Sequence, residues 1–355
     1  MLPLETPYYK LDILPGAEDL VLIFPGLTEA EGRYGYESAV AGLGASRLHY
    51  VNTRPEWASG GIPALVASIP AMLEELRALA AQSGARRIFS YGFSFGAFGA
   101  LLYGMLLGAE RILAVSGQTA LGLPGTRSGR LLGNARLDSP LTDLRAVALA
   151  HPPKEAHLLY GERDAADLLA AIHMVGVPGV QLHFLRAAGH NLPGELHGRG
   201  FRQGLIGRTL SGRLDLEELG RLPIAYDAGL AEAVRQGFAA QERGDHVAAE
   251  RAFVRLARAL PDSSLARQQL GNALQGQGRW RQANAAYRAA LALDAEDVET
   301  ICGLVSTLRL AGLTEEALEH CGQGLRLSPS HRRLTRYWNR MVAEGRPERV
   351  AETVG

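Results

Sequence analysis

Three side chains in the first two hundred residues have the types and spacing for nucleophilic acyl chemistry: Ser94, Asp164 and His190. A serine hydroxyl attacks poorly until a base takes its proton. An imidazole serves as that base when a carboxylate holds its other nitrogen. Ser94 stands at the centre of Gly92–Phe93–Ser94–Phe95–Gly96. The apolar run Arg87–Ile88–Phe89–Ser90 precedes it and Ala100–Leu101–Leu102–Tyr103–Gly104–Met105–Leu106–Leu107 follows. The pattern predicts a buried strand, a tight turn with the serine at its apex, and a buried helix. Glycines flank the serine because a Cβ on either side would strike the neighbouring strand or helix. The helix N-terminus sets a partial positive charge beneath the hydroxyl. A bare Gly-x-Ser-x-Gly arises by chance in roughly one chain in four at this glycine content. The strand before this one and the helix after it give it its weight.

The elements that must position these residues alternate along the chain. Apolar runs at Asp19–Phe24, Arg47–Val51, Arg86–Tyr91, Arg111–Val115, His157–Tyr160 and Val180–Leu185 read as strands. Helices are expected over 36–45, over 62–83 with a kink at Pro70, after Ser94 and over 165–175. Short apolar strands alternating with helices define an α/β fold with a mostly parallel sheet covered on both faces. In such sheets functional groups collect after the carboxyl ends of the strands. Ser94, Gly161–Glu162–Arg163–Asp164 and Gly189–His190 all follow strand ends. The Gly-x-x-Asp spacing favours Asp164 as the carboxylate. Asp167, one helical turn on, is its competitor, and Asp164 would then serve as a helix N-cap.

Through these motifs residues 1–210 resemble the α/β-hydrolase superfamily, whose members share the order serine, acid, histidine. The resemblance implies a three-layer fold and a Ser94–His190–Asp164 triad. It also implies an oxyanion hole from the backbone N–H groups of Phe95 and Leu27. Pro25 departs from the pattern, standing where many relatives carry histidine. The segment Ser116–Ala156 occupies the place of the family's lid and is short, so a modest cap is expected. Arg54, Glu56, Trp57 and Gln118 would line a polar pocket with one aromatic wall, suited to a polar or short acyl ester, including one on a glycan.

Beyond a linker at 211–228 the pattern becomes purely helical with a period of 34 residues. Gly237, Gly271 and Val305 are in phase, as are Gly244, Gly278 and Gly312. So are Ala249, Ala283 and Ala317; Phe253, Tyr287 and Cys321; and Pro261, Ala295 and Pro329. This register resembles tetratricopeptide repeats (TPR) at 230–263, 264–297 and 298–331, with a capping helix, in an all-α solenoid domain over 229–345. The family's concave positions fall on Val234, Phe238, Gln241, Gln268, Asn272, Gln275, Cys302, Ser306 and Arg309. They imply a protein or peptide partner, or a homo-oligomer.

Bulk properties bound the rest. The 355 residues suit two domains, and 47% hydrophobic with 21% charged residues is a globular composition. Zero net charge argues against a nucleic-acid partner. Lys10 and Lys154 are the only lysines, a bias typical of GC-rich bacterial coding sequence. The two cysteines, Cys302 and Cys321, offer no metal motif. No cofactor, signal peptide or transmembrane segment is expected, and the expected location is cytoplasmic. The function expected is a serine esterase. The alternatives are an acyltransferase with the same triad and a non-catalytic TPR scaffold.

Overall fold

A computed structural model of the chain describes residues 1–26, 40, 42–50, 55–133, 137, 139–198 and 205–344, with the side chains of 55–66, 197–198 and 210 left aside. The chain divides into two compact units, Met1–Ala231 and Glu232–Gly355.

The first unit is built on seven strands: β1 Tyr9–Asp12, β2 Asp19–Phe24, β3 Ser46–Tyr50, β4 Arg87–Phe93, β5 Arg111–Val115, β6 Ala156–Gly161 and β7 Val180–Leu185. Their order in the sheet is β1-β3-β2-β4-β5-β6-β7. All neighbours run parallel except β1, which pairs antiparallel with β3. Between them lie α1 Pro55–Ser83, α2 Phe95–Leu106, α3 Arg127–Leu132, α4 Leu144–Ala150 and α5 Ala165–His173, and α6 Leu192–Gly198 and α7 Leu205–Leu210 follow β7. Leu20 through Phe24 are all buried, as is the whole of β6. Such unbroken burial needs cover on both faces. One face packs Val21, Ile23, Tyr91, Leu113, Val115, Leu159 and Leu185 with Leu192, Leu196 and Leu205.

Two sequence expectations change here. The helix expected over 62–83 begins earlier, at Pro55, so Glu56 and Trp57 belong to α1. The segment 211–228 is no free linker: Leu219 and Leu222 are buried, and Leu214 and Leu216 pack on the sheet core. Leu222 N–H donates to Phe184 O at 2.8 Å and Arg186 N–H to Gly220 O at 3.0 Å, so this stretch covers the free edge of β7. The helix expected over 36–45 lies almost wholly outside the described residues.

The second unit is helical, from α8 Ala228–Glu242, α9 His246–Ala259, α10 Ser264–Gly276, α11 Trp280–Leu291, α12 Val298–Leu310 and α13 Thr314–Leu327 to α14 Arg332–Glu344. These are three TPR-like helix pairs and a cap. The 34-residue phase has a steric cause. A Cβ on Gly271 would lie 2.7 Å from the Tyr287 ring, and one on Gly237 2.8 Å from the Phe253 ring. In the third pair Cys321 stands in place of the ring and Val305 in place of the glycine, and both are fully buried in one core cluster. Gly244, Gly278 and Gly312 turn the chain at φ of 72°, 73° and 78°.

Candidate active site

The turn between β4 and α2 is as tight as its glycines require. A Cβ on Gly92 would land on the Gly96 carbonyl oxygen, and one on Gly96 on the carbonyl oxygens of Phe24 and Pro25. Both would fall far inside van der Waals contact with backbone that cannot rotate away. Gly96→Ala should therefore cost ~3 kcal/mol or more, read as a lowered midpoint in urea denaturation. A wild-type midpoint would mean that the start of α2 is not held this closely to the end of β2. At the apex Ser94 adopts φ 55° and ψ −118°, a conformation hostile to a residue with a Cβ. Its N–H is fixed by Val115 O at 2.8 Å. Its side chain does not cap α2, which leaves the hydroxyl to other partners.

That partner is His190, whose Nε2 lies 3.0 Å from Ser94 Oγ. His190 follows β7 in a loop that presses on the end of β6. A Cβ on Gly161 would strike the carbonyl oxygens of Ala188 and Gly189. Arg163 N–H donates to Ala188 O at 2.9 Å, and Glu195 Oε1 accepts from Gly189 N–H at 2.9 Å. Ala187 takes a φ of 53° to make the turn. The Phe93 ring stands 5.6 Å from the imidazole, centroid to centroid, and braces it.

On the other side of the imidazole stands a different carboxylate from the one that the Gly-x-x-Asp spacing favours. His190 Nδ1 lies 2.9 Å from Asp167 Oδ2 and 3.0 Å from Asp167 Oδ1. Asp164 is the N-cap of α5, accepting from Asp167 N–H at 2.9 Å, and its two oxygens receive the Arg127 guanidinium at 2.6 and 3.0 Å. Arg127 also reaches Asp167 Oδ1 at 3.0 Å. The cause is helical geometry: Asp164 sits where the chain enters α5 and points to the helix N–H groups, while Asp167 lies one turn in. Burial pushes the fully enclosed Asp167 carboxyl above its ordinary range, and the charge of Asp164 adds to this. The His190 hydrogen bond, His190's charge and Arg127 pull the other way. For Asp164 burial is outweighed by the hydrogen bond and charge of Arg127, which hold its carboxyl below that range. Burial, followed by the charge of Asp167, raises the Tyr160 phenol well above its usual value. Arg127 carried no site role in the sequence reading. Its signal in the sequence is its place among the four arginines between β5 and β6, Arg127, Arg130, Arg136 and Arg145.

The other expected site residues are placed as follows. Phe95 is the first residue of α2, where helix geometry gives the backbone N–H no intrahelical acceptor. Leu27 and Arg54 lie outside the described residues, as does the side chain of Trp57. Gln118 does not line an open pocket. It is 3% exposed, and its Oε1 accepts from Ser128 N–H at 3.1 Å, anchoring α3. A small apolar cavity of about 20 Å³ lies beside the turn, among Phe24, Ile69, Met72, Phe95, Phe98 and Leu102. No group of three metal-ligating side chains occurs among the described residues, and none of their helices is long and apolar enough to cross a membrane.

In the helical unit the expected groove residues bond to neighbouring side chains of the array. Gln268, at 6% exposed, donates to Asp297 at 2.9 Å, and Gln275 to Ser306 at 3.1 Å. Asn272 donates to Gln269 at 3.1 Å and meets the Tyr287 hydroxyl at 2.7 Å. Arg309 stacks its guanidinium 5.7 Å from the Tyr337 ring centroid. Val234 and Cys302 are fully buried, which removes them from any surface. This polar ladder stitches adjacent repeats together.

No family model and no curated protein sequence matches the chain. Among solved structures, the second TPR domain of human RPAP3 in complex with an HSP70 peptide is similar at 15% identity. It covers 31% of this chain and 92% of that one, with a TM-score of 0.30. The TPR2B domain of yeast Sti1, in complex with a pHsp70 peptide, is 16% identical over 32% of this chain and 97% of its own, with a TM-score of 0.32. A mutant O-GlcNAc transferase of Thermobaculum terrenum is 27% identical over 32% of this chain and 22% of its own, with a TM-score of 0.31.

Proposed function

We propose that the first unit is a serine hydrolase of the α/β-hydrolase type that cleaves a carboxylic ester with a small acyl group. The observation that carries this reading is the hydrogen-bonded series Ser94 Oγ, His190 Nε2, His190 Nδ1 and Asp167, with contacts of 3.0 and 2.9 Å. With Asp167 accepting from Nδ1–H, the bare Nε2 faces the hydroxyl. Ser94 Oγ attacks the ester carbonyl and gives its proton to His190. The tetrahedral oxyanion is stabilised by the Phe95 N–H, with the helix dipole behind it. His190 then protonates the departing alcohol, the carbon–oxygen bond breaks and an acyl-enzyme remains. Water repeats the sequence and releases the acid. An alcohol in place of water would make the same residues an acyltransferase. The 34-residue array is the module through which the protein meets a protein partner or a second copy of itself.

Labelling with a fluorophosphonate tests the chemistry, because only an activated serine reacts. The full chain should incorporate one equivalent, mapped by peptide mass spectrometry to Ser94. It should also hydrolyse p-nitrophenyl acetate faster than the octanoate. Failure to label a folded sample would leave the interaction array as the functional part of the molecule.

A further inference from the structure

Arg127 is held in place more elaborately than a surface arginine needs. Thr126 caps α3, accepting from Gly129 N–H, and Ser128 Oγ donates to Ala120 O at 3.1 Å. Gln118 holds the Ser128 N–H, and Thr126, Ser128 and Gln118 are each at most 3% exposed. A Cβ on Gly129 would land on the Leu123 carbonyl oxygen. This buried frame delivers a guanidinium to two carboxylates at once. Arg127 Nη1 lies 3.0 Å from both Asp164 Oδ1 and Asp167 Oδ1.

Two carboxylates sharing one nitrogen repel each other, and Asp167 has no solvent to screen it. The groups facing the pair are Arg127 from α3, His190 from the loop after β7 and the Tyr160 hydroxyl from β6, which donates to Gly117 O. Arg127 is therefore the permanent cation that balances the surplus carboxylate. Without it, the surplus charge is relieved by a proton on the buried Asp167 or by a proton held on the His190 imidazole. In the first case a protonated Asp167 donates to Nδ1, the other tautomer forms and Nε2 carries a hydrogen toward Ser94. In the second the base is already occupied. Both disable the base, and both are relieved by raising the pH.

We propose that Arg127 is a positioning residue for the triad: carried by the segment between β5 and β6, it keeps Asp164 and Asp167 both ionised, so that Asp167 acts purely as an acceptor for His190. The inference rests on the hydrolase reading.

The test measures the fluorophosphonate labelling rate from pH 5 to 10 in the full chain. Arg127→Met should label ~10–100-fold more slowly at pH 7, with its rising limb moved up by about one pH unit or more. Arg127→Met/Asp164→Asn, lacking the surplus charge, should regain the wild-type limb and most of the rate. The His190 Nδ1–H proton resonance should weaken in the single variant and return in the double. An unmoved limb in Arg127→Met, or no recovery in the double variant, overturns the charge role in favour of a plain structural clamp. Should Arg127→Met not fold, Arg127→Lys decides: retained charge predicts the wild-type limb, and a shifted limb overturns the proposal. A folded wild type that never labels at Ser94 removes the hydrolase reading and this inference together. A wild type that labels beside unaffected Arg127 variants removes this inference alone.

Discussion

Ser94→Ala should lower ester turnover by ~10³-fold or more with no loss of fold. The expectation combines two observations on one residue. Ser94 Oγ is 3.0 Å from an imidazole nitrogen. Its backbone stands at φ 55° without a side-chain hydrogen bond to the helix it begins. A strained non-glycine residue at this position contributes nothing to stability that glycine would not improve, so the serine is kept for its hydroxyl. Ser94→Gly should consequently be as inactive as the alanine variant yet more stable than it by ~1 kcal/mol, about 2–4 °C in the melting temperature. Steady-state hydrolysis of p-nitrophenyl acetate and thermal melts of the two variants check both halves. An alanine variant retaining more than a tenth of wild-type turnover would remove Ser94 as nucleophile.

Asp167→Asn should lower kcat by ~10³–10⁴-fold, while Asp164→Asn should cost less than about tenfold. An asparagine at 167 has the volume of the aspartate, but its amide nitrogen donates toward His190 Nδ1. The imidazole then adopts the tautomer with hydrogen on Nε2 and cannot accept from Ser94. An asparagine at 164 still accepts from Asp167 N–H as a helix cap, and Arg127 keeps its contact with Asp167. Raising the pH should not rescue Asp167→Asn, because no carboxylate remains to be ionised. The reverse ranking of the two variants would return the acid role to Asp164.

These two aspartates show where sequence reading stops. Both lie at the start of α5, three residues apart and on one side of it, after the same strand and the same Gly161. Spacing along the chain favours Asp164, whereas the structure brings Asp167 to His190. The contact depends on the turn at Ala187 that carries the chain to His190, and on Arg127 arriving from about forty residues upstream. Gln118 is a similar case. Its place after β5 predicts a pocket-lining side chain, but that side chain turns inward to Ser128.

Other features were determined by the amino-acid sequence alone, because their causes are local. Gly92 and Gly96 encode a turn that no other residue tolerates, and unbroken apolar runs encode strands covered on both faces. Gly237 and Gly271 answer the rings of Phe253 and Tyr287 sixteen residues on, and Val305 answers Cys321, so the 34-residue phase carries its own packing rule. Tertiary structure alone decided the pairings between distant segments: β1 antiparallel on β3, the stretch 211–228 closed over β7, the polar ladder that occupies the expected groove, and the passing of the His190 hydrogen bond from Asp164 to Asp167. Each depends on directions in space set by many residues at once, and a buried polar group takes whichever partner those directions bring within hydrogen-bonding distance.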